Sequence, residues 1–584
     1  MPTISIDRQD FHGLLGPLAH DRQISNEQIE SWLQLVKGEL KDHDTETGEL
    51  RIELQDSNRP DLWSCEGIAR QIRTKLAGSL SGYPFFGAEP RSSRRLIVDR
   101  DLHNIRPYVA ACSAVGYQVT AAGLAQLIQV QEKLADIFGH KRRTVSIGLY
   151  RLPAIVFPIT YTLVKPDEVK FTPLGFEEKM TPREILSVHP KGLEYGSILA
   201  GHERVPLLLD TEGQVLSLPP IINSRELGEI RVGDRELLVE VTGTDLRMVL
   251  LTLNIMAVNL ADRGAAIDTV DVVYPHETEL GKTIRTPCNF GQPRSLPMKS
   301  IESALGQSLR AEEIRASLVS YGYEATVSHD QVSVTLPPYR NDVMHAVDVA
   351  EDVAISLGYS SFAPIMPSEF TVGGVSRLEH GSDRIRDLMV GFGFQEMMSN
   401  LLSSRLELVD RMRVSDTPWG NVVEVDNPMA QTYSTLRQSI IPSLLRVESV
   451  STRSFYPHRL FEVGEVAIPD AQHDLGSCTV LSLGAVMAHA AANFSEMHST
   501  LDLLLYYLGA QYTLEPVNHP SYLDGRAGQI ALNGSPIGVI GELHPEVLEH
   551  WQVTMPTVAF ELTIDRLIEG ACGDSPVIRT DIVE

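Results

Sequence analysis

Residues 337–362 read PPYRNDVMHAVDVAEDVAISLGYSSF. The segment MHAVDVAEDVAISLGY fits a helix that stops at Gly358, with Met344, Val347, Ala350, Ala354 and Leu357 on one side. Asp348, Glu351 and Asp352 follow an i, i+3, i+4 spacing and share another face. Asp342, just upstream, can cap the helix or swing toward the same cluster. The helix dipole accounts for an acidic residue at Asp342, and its pull weakens for Glu351 and Asp352, a turn or more further in. Like charges at helical spacing cost only about 0.2–0.5 kcal/mol per pair, which solvent tolerates. A hard divalent cation, which takes a few carboxylates plus water, would remove even that cost. The local pattern leaves both a solvated face and a metal site open.

The rest of the composition narrows the setting. A chain of 584 residues suggests about four domains, and 43% apolar residues suffice for several cores. The start, MPTISIDRQDF, lacks a basic stretch followed by an apolar run, so no signal peptide is expected. The most apolar long window, CTVLSLGAVMAHAAANF, is shorter than the roughly 20 residues that span a bilayer. It reads as buried strand plus connection, with no membrane association expected. Cys65, Cys112, Cys288, Cys478 and Cys572 are far apart, odd in number and free of any C-x-x-C pair. That excludes a disulfide framework and a thiolate zinc site, and a reducing, cytoplasmic setting is expected. Net charge is −26, so contact with RNA must be local or supplied by a partner. The last lysine is Lys299, which excludes lysine chemistry from the second half.

The predicted organisation is α+β and multidomain. An N-terminal α/β domain spans 1–85 and contains DSNRPDLWSCEGIARQIRTKLAG, where Leu62, Cys65, Ile68, Ala69, Ile72 and Leu76 recur at helical spacing. Asn58, Arg59 and Asp61 sit where the chain enters that helix and need be no more than capping residues. A linker is expected at 84–95, followed by a mixed α/β region over 96–272 with strands VAACSAVGYQV and ELLVEVTGTD. Residues 273–362 form a small helical, winged-helix-like unit that includes the acidic helix. A second linker, APIMPSEFTVGG, covers 363–374, and an antiparallel sheet with flanking helices fills 375–584. Within it GQIALNGSPIGVIGEL is a hairpin, since Asn-Gly favours a primed turn.

Several motifs fail on inspection. LGKT at 280–283 lacks the glycine that would let its amides curl around phosphate, since position 276 is His. There is no H-E-x-x-H and no G-x-S-x-G, and His544 in GELHP reads as a turn residue.

Taken in order, NRPDLWSCEGIARQIR (58–73), SIGLYRL (146–152), HPKGLEYG (189–196), SLPPIINS (217–224), VTGTD (241–245), PPYRNDVMHAVDVAEDVAISLGY (337–359), LRQSIIPSLL (436–445) and FEVG (461–464) are colinear with one family. The chain resembles the β subunit of phenylalanyl-tRNA synthetase, of the shorter archaeal and eukaryotic cytosolic type. The resemblance implies an α₂β₂ ligase that joins phenylalanine to tRNA-Phe at the expense of ATP, with the catalytic class II module in the α subunit. In this chain RIRDLMVGFGFQEMMSNLL and LRQSIIPSLL with FEVG resemble the first two class II motifs. No third motif is found, so 375–584 is expected to be a degenerate class II core that does not adenylate. The resemblance further implies Asp342, Asp348, Glu351 and Asp352 as ligands of Mg²⁺ shared with the α subunit. It makes 96–272 an editing domain for mischarged Tyr-tRNA, with Leu208, Ser217, Glu240 and Thr242 at its pocket.

The sequence departs from the family pattern at two positions: Glu240 stands where archaeal members carry aspartate, and Arg151 where an acidic residue is usual. The longer bacterial subunits' extra terminal domains, with their anticodon-binding tail, are not matched. A free-standing RNA-binding or scaffold protein derived from a decayed synthetase is the alternative reading. A metal-dependent hydrolase centred on the acidic helix is a weaker one, since His345 alone would supply a histidine ligand.

Overall fold

The computed structural model describes residues 2–16, 24–44, 46–55, 58–80, 82–87, 93–451 and 453–571. Cys572 and part of the expected 84–95 linker lie outside the described residues. The chain forms two compact units, Met1–Met366 and Pro367–Glu584, which divide inside the segment 363–374.

The first unit is built on three sheets. A small antiparallel sheet orders Thr3–Asp7, Glu49–Leu54 and Gly38–His43. Its alternating burial seats Ile4, Ile6, Leu50, Ile52 and Leu54 against helices Arg8–Leu15 and Cys65–Ala77. The helix Cys65–Ala77 begins where expected, capped by Ser64, whose hydroxyl accepts from the Gly67 amide, and ends at Gly78 with φ 80°. A ten-stranded sheet follows. At one end its order runs Ala266–Thr278, Tyr108–Val115, Glu236–Gly243, and Val145–Arg151 at the edge. The helix Leu246–Asp262, almost wholly apolar, is buried against the strands Tyr108–Val115 and Glu236–Gly243.

Ala266–Thr278 crosses the expected boundary at 272/273 and turns back as Gly281–Thr286, so the middle sheet reaches Thr286. LGKT runs from the turn of that hairpin into its returning strand, which begins at Gly281. A third sheet, Arg294–Pro297, Gln331–Thr335 and Glu324–Ser328, packs with helices Met298–Leu305, Ala311–Ser320 and Ala346–Leu357.

The acidic helix occupies Ala346–Leu357 and ends at Gly358, φ 86°. Its buried face differs from the expected one. Met344 (68% exposed) and Val347 (61% exposed) face solvent, and Val349, Ala350, Asp352, Val353, Ala354 and Ile355 are buried. A carboxylate sits in the core stripe because Arg340 and Tyr323 meet it there.

The second unit holds a small three-stranded sheet and a seven-stranded sheet ordered Gln395–Glu396, His458–Pro469, Ser477–Ala488, Thr557–Thr563, Ser535–Leu543, Tyr522–Leu532, Tyr512–Pro516. All pairings are antiparallel except the first. The hairpin Tyr522–Leu532/Ser535–Leu543 turns on Asn533 (φ 50°) and Gly534 (φ 80°), the two positive values a primed turn demands. One core holds Met389, Leu501, Leu504 and Leu567 from three helices, and another holds Leu444, Leu445, Val547 and Trp551. The apolar window becomes the buried strand Ser477–Ala488, and among the described residues no helix is long and apolar enough to cross a membrane.

Candidate functional site

A cavity of about 250 Å³ opens on the ten-stranded sheet, lined among others by Arg142, Gly148, Ser217, Asn223 and Glu240. Glu240 projects from Glu236–Gly243, opposite Ala111 on one side and Gly148 on the other. Strand alternation puts Thr242 on the same face, together with Ser146 and Tyr150 of the neighbouring strand. Tyr150 Oη lies 2.9 Å from Glu240 Oε2 and 2.8 Å from Ser217 Oγ. The phenol has one proton, so it donates to the carboxylate and accepts from the serine hydroxyl.

The second carboxylate oxygen, Glu240 Oε1, is buried and, among the described residues, meets no hydrogen-bond partner. Burial raises the Glu240 carboxyl to about 7, against the opposing pull of Tyr150, Arg106 and Thr242. The site therefore presents a desolvated acceptor at the edge of a partly apolar cavity.

Ser217 and Glu240 line the cavity, whereas Leu208 and Thr242 support it from behind. Leu208 pairs with Ser217 across the sheet and is fully buried in the core. Thr242 Oγ1 accepts from Arg106 Nε at 3.0 Å and lies 2.9 Å from Ser146 Oγ. Arg106, lowered to about 10 by burial, also donates to the Thr242, Arg142 and Arg143 carbonyls and so fixes the cavity's back wall.

The sequence reading missed Tyr150, Gly148 and Arg142. Tyr150 and Gly148 were accessible from the alternation in VSIGLYR, since both share a face with Ser146. Arg142, φ 65°, donates to the carbonyls of Pro220 (3.2 Å) and Ile221 (2.9 Å) and stacks on Tyr195 at 4.3 Å. No local pattern foretells that contact. Arg151 points away from the cavity and donates to the Glu226 carbonyl.

The four carboxylates of 342–352 do not converge. Arg340 grips Asp342 through Nε (3.0 Å) and Nη2 (2.7 Å), and Nη2 also reaches Asp352 Oδ2 at 2.7 Å. Tyr323 Oη donates to the same Asp352 oxygen. Burial would raise the Asp342 carboxyl, but Arg340 and Arg59 outweigh it and hold it near about 2. Asp348 reaches back to accept from the Met344 and His345 amides, both at 2.7 Å, and Glu351 Oε1 pairs with Lys37 at 2.7 Å. Among the described residues no group of three or more His, Cys, Asp or Glu is arranged to hold a metal ion. These donors do not fit a single magnesium shell, because all four are committed elsewhere: Asp342 and Asp352 to Arg340, Asp348 to the helix amides and Glu351 to Lys37. His345 caps the helix, and His544 caps Pro545–Trp551.

A larger cavity of about 500 Å³ lies in the second unit, between Leu408, Trp419, Gln438, His519, Tyr522 and Glu561. Burial lowers His519 to about 4, and Glu561 accepts from Ser439 Oγ and the Ile440 amide. No sequence motif pointed to it.

Comparison with known proteins decides the family. Residues 363–564 match the phenylalanyl tRNA synthetase beta chain CLM domain, and residues 294–359 match the tRNA synthetase B5 domain. The phenylalanine–tRNA ligase beta subunit of Borrelia turicatae (strain 91E135) is 37% identical over 572 residues, covering 97% of this chain and 100% of the relative. The chain belongs to the phenylalanine–tRNA ligase β-subunit family. The Borrelia garinii relative is 39% identical over 573 residues, with 97% and 100% covered. The crystal structure of an N-terminal fragment of the phenylalanyl-tRNA synthetase β-subunit from Pyrococcus horikoshii is 37% identical and gives a TM-score of 0.57. It covers 61% of this chain and all of that fragment. As a member of this family the chain is a ligase subunit, and its process is aminoacyl-tRNA synthesis for protein biosynthesis. The B5 match contains the acidic helix, and the CLM match begins four residues before the second unit.

Proposed function

We propose that this chain is the non-adenylating β subunit of a cytoplasmic α₂β₂ phenylalanine–tRNA ligase. It supports ATP-dependent attachment of phenylalanine to tRNA-Phe and hydrolyses mischarged Tyr-tRNA. In this reading 1–85 is the N-terminal domain, 96–286 is the editing domain, the region matched over 294–359 is the B5-type domain, and 375–584 is a degenerate class II core. ATP and Mg²⁺ are used by the complex, and the adenylating centre belongs to the α subunit. No step here depends on a metal held by Asp342, Asp348, Glu351 or Asp352.

The observation that carries the editing reading is the buried, unpartnered Glu240 Oε1. An apolar pocket for phenylalanine cannot strongly reject a ring that merely adds a hydroxyl, and discrimination there is on the order of 10². A site that hydrogen-bonds the hydroxyl inverts the preference. A tyrosyl phenol gives Glu240 Oε1 its missing donor, whereas a phenylalanyl ring leaves the acceptor buried and unpaired, at a cost of about 1–3 kcal/mol. Tyr150 holds the carboxylate's other oxygen, and Ser217 in turn holds the Tyr150 hydroxyl, which fixes its aim. Water then cleaves the ester between the tyrosyl carbonyl and the tRNA ribose.

The test is reconstitution. The chain purified with its α subunit charges tRNA-Phe. Absence of charging by a folded pair, or a chain that stays monomeric beside co-expressed α, overturns the reading in favour of an RNA-binding scaffold. Glu240→Ala slows Tyr-tRNA hydrolysis by about 10²-fold with charging intact. Unchanged hydrolysis removes Glu240 from the mechanism.

A further inference from the structure

Arg340 is 5% exposed, and its guanidinium is sandwiched in charge between two carboxylates that the family pattern gives to magnesium. The Tyr323 ring lies under it at 5.1 Å, and the Tyr321 ring flanks it at 5.8 Å. Next to this group sits a second fork. Arg59 holds Asp61 through Nε and Nη2, each at 2.8 Å, donates to Gln71 Oε1 at 3.2 Å, and lies 3.8 Å from Asp342 Oδ1. Two guanidinium groups and three carboxylates (Asp61, Asp342, Asp352) thus share one buried cluster. It leaves a single excess negative charge, and both oxygens of Asp61 and Asp342 and Oδ2 of Asp352 already accept hydrogen bonds.

A guanidinium satisfies paired carboxylates geometrically, with planar donors aimed at lone pairs. A divalent ion would need those same lone pairs at about 2.0–2.1 Å, against a fixed positive group already seated there.

We infer that Arg340 is the resident cation of the Asp342–Asp352 pair in this chain. The cluster fastens the B5-matched region to the segment 59–75 without a divalent metal. The surrounding contacts run in the same direction. Gln71 Nε2 donates to the Tyr321 carbonyl at 3.2 Å. Lys75 donates to Ser320 (3.1 Å) and Ser356 (2.8 Å), and Tyr321 Oη donates to the Leu35 carbonyl at 2.8 Å. Lys37 and Glu351 close the exposed rim. Of the predicted magnesium ligands, Asp342 faces Arg59, Glu351 pairs with Lys37, Asp348 caps its own helix, and Asp352 is held within the B5-matched region by Arg340 and Tyr323. This assignment does not depend on the editing reading.

The experiment is a Mn²⁺ titration of the full chain, alone and bound to its α subunit, followed by electron paramagnetic resonance and by thermal unfolding. Wild type shows no Mn²⁺ site that Asp342→Asn or Asp348→Asn weakens, and its Tm is the same in chelator and in millimolar Mg²⁺. Arg340→Gln uncovers the acidic pair. Its Tm falls in chelator, rises again with Mg²⁺, and its Mn²⁺ affinity exceeds that of wild type at least tenfold. A stoichiometric wild-type Mn²⁺ site that Asp342→Asn, Asp348→Asn or Glu351→Gln abolishes overturns the inference. That arm is decisive even if Arg340→Gln fails to fold.

Discussion

Glu240 and Gly148 are cross-strand partners, and the missing side chain at 148 is the space in which the Glu240 carboxylate and the Tyr150 hydroxyl meet. A Cβ at 148 would lie 2.1 Å from Tyr150 Oη and 2.5 Å from Glu240 Oε2. Gly148→Ala is therefore expected to displace both groups. Stability should fall by about 1–3 kcal/mol, the range for overpacking, and Tyr-tRNA hydrolysis should fall with it. Denaturant titration and a deacylation assay check this, and an alanine variant with wild-type stability and hydrolysis refutes it.

Tyr150→Phe removes one hydroxyl and leaves two buried groups, Glu240 Oε2 and Ser217 Oγ, without their shared partner. The expected loss is about 1–3 kcal/mol. The hydroxyl also favours the charged carboxylate, so its removal moves the Glu240 titration further upward. Comparing the pH profile of deacylation in wild type and Tyr150→Phe tests that shift.

Stability itself should depend on Glu240. Its folded value, about 7, lies above the ordinary 4.5, so between those limits the folded chain binds more protons than the unfolded one. The group's contribution is most favourable below about 4.5 and is lost as pH rises toward 7. Glu240→Gln abolishes this loss. Its stability relative to wild type should grow from pH 5 to pH 8, by on the order of 2–3 kcal/mol. Chemical denaturation at the two pH values measures it, and a pH-independent difference contradicts the assignment.

Two cations on the docking face should differ sharply in weight. Lys37 and Glu351 form a partly exposed pair, with side-chain exposures of 20% and 46%. Lys37→Ala should cost no more than about 1 kcal/mol. Arg59, at 4%, holds the equally buried Asp61 in a bidentate grip. Arg59→Ala strands that carboxylate and should cost about 3–5 kcal/mol. Similar values for the two variants would show that the cluster around Arg59 bears no special load.

Legibility of the sequence followed the range of the interactions. The hairpin at Asn533–Gly534 and the stops at Gly78 and Gly358 are set by local backbone needs, and each was readable in a few residues. The existence of the acidic helix was equally readable, but its orientation was not. Asp352 is buried because Arg340 and Tyr323 arrive from outside the helix, and a hydrophobic periodicity cannot register that. Ala266–Thr278 overran its expected boundary because its continuation, VDVVYPHET, carries β-favouring residues on both sides of the supposed break. At the pocket, Ser217 and Glu240 were named from resemblance, whereas Tyr150 and Gly148 follow from strand alternation once Glu240 is placed.

The division of the chain at Met366/Pro367 has a chemical corollary. Every lysine precedes it, the last being Lys299. Amine-directed reagents such as acylating labels and short cross-linkers will therefore decorate only the first unit, leaving the seven-stranded half chemically silent to them.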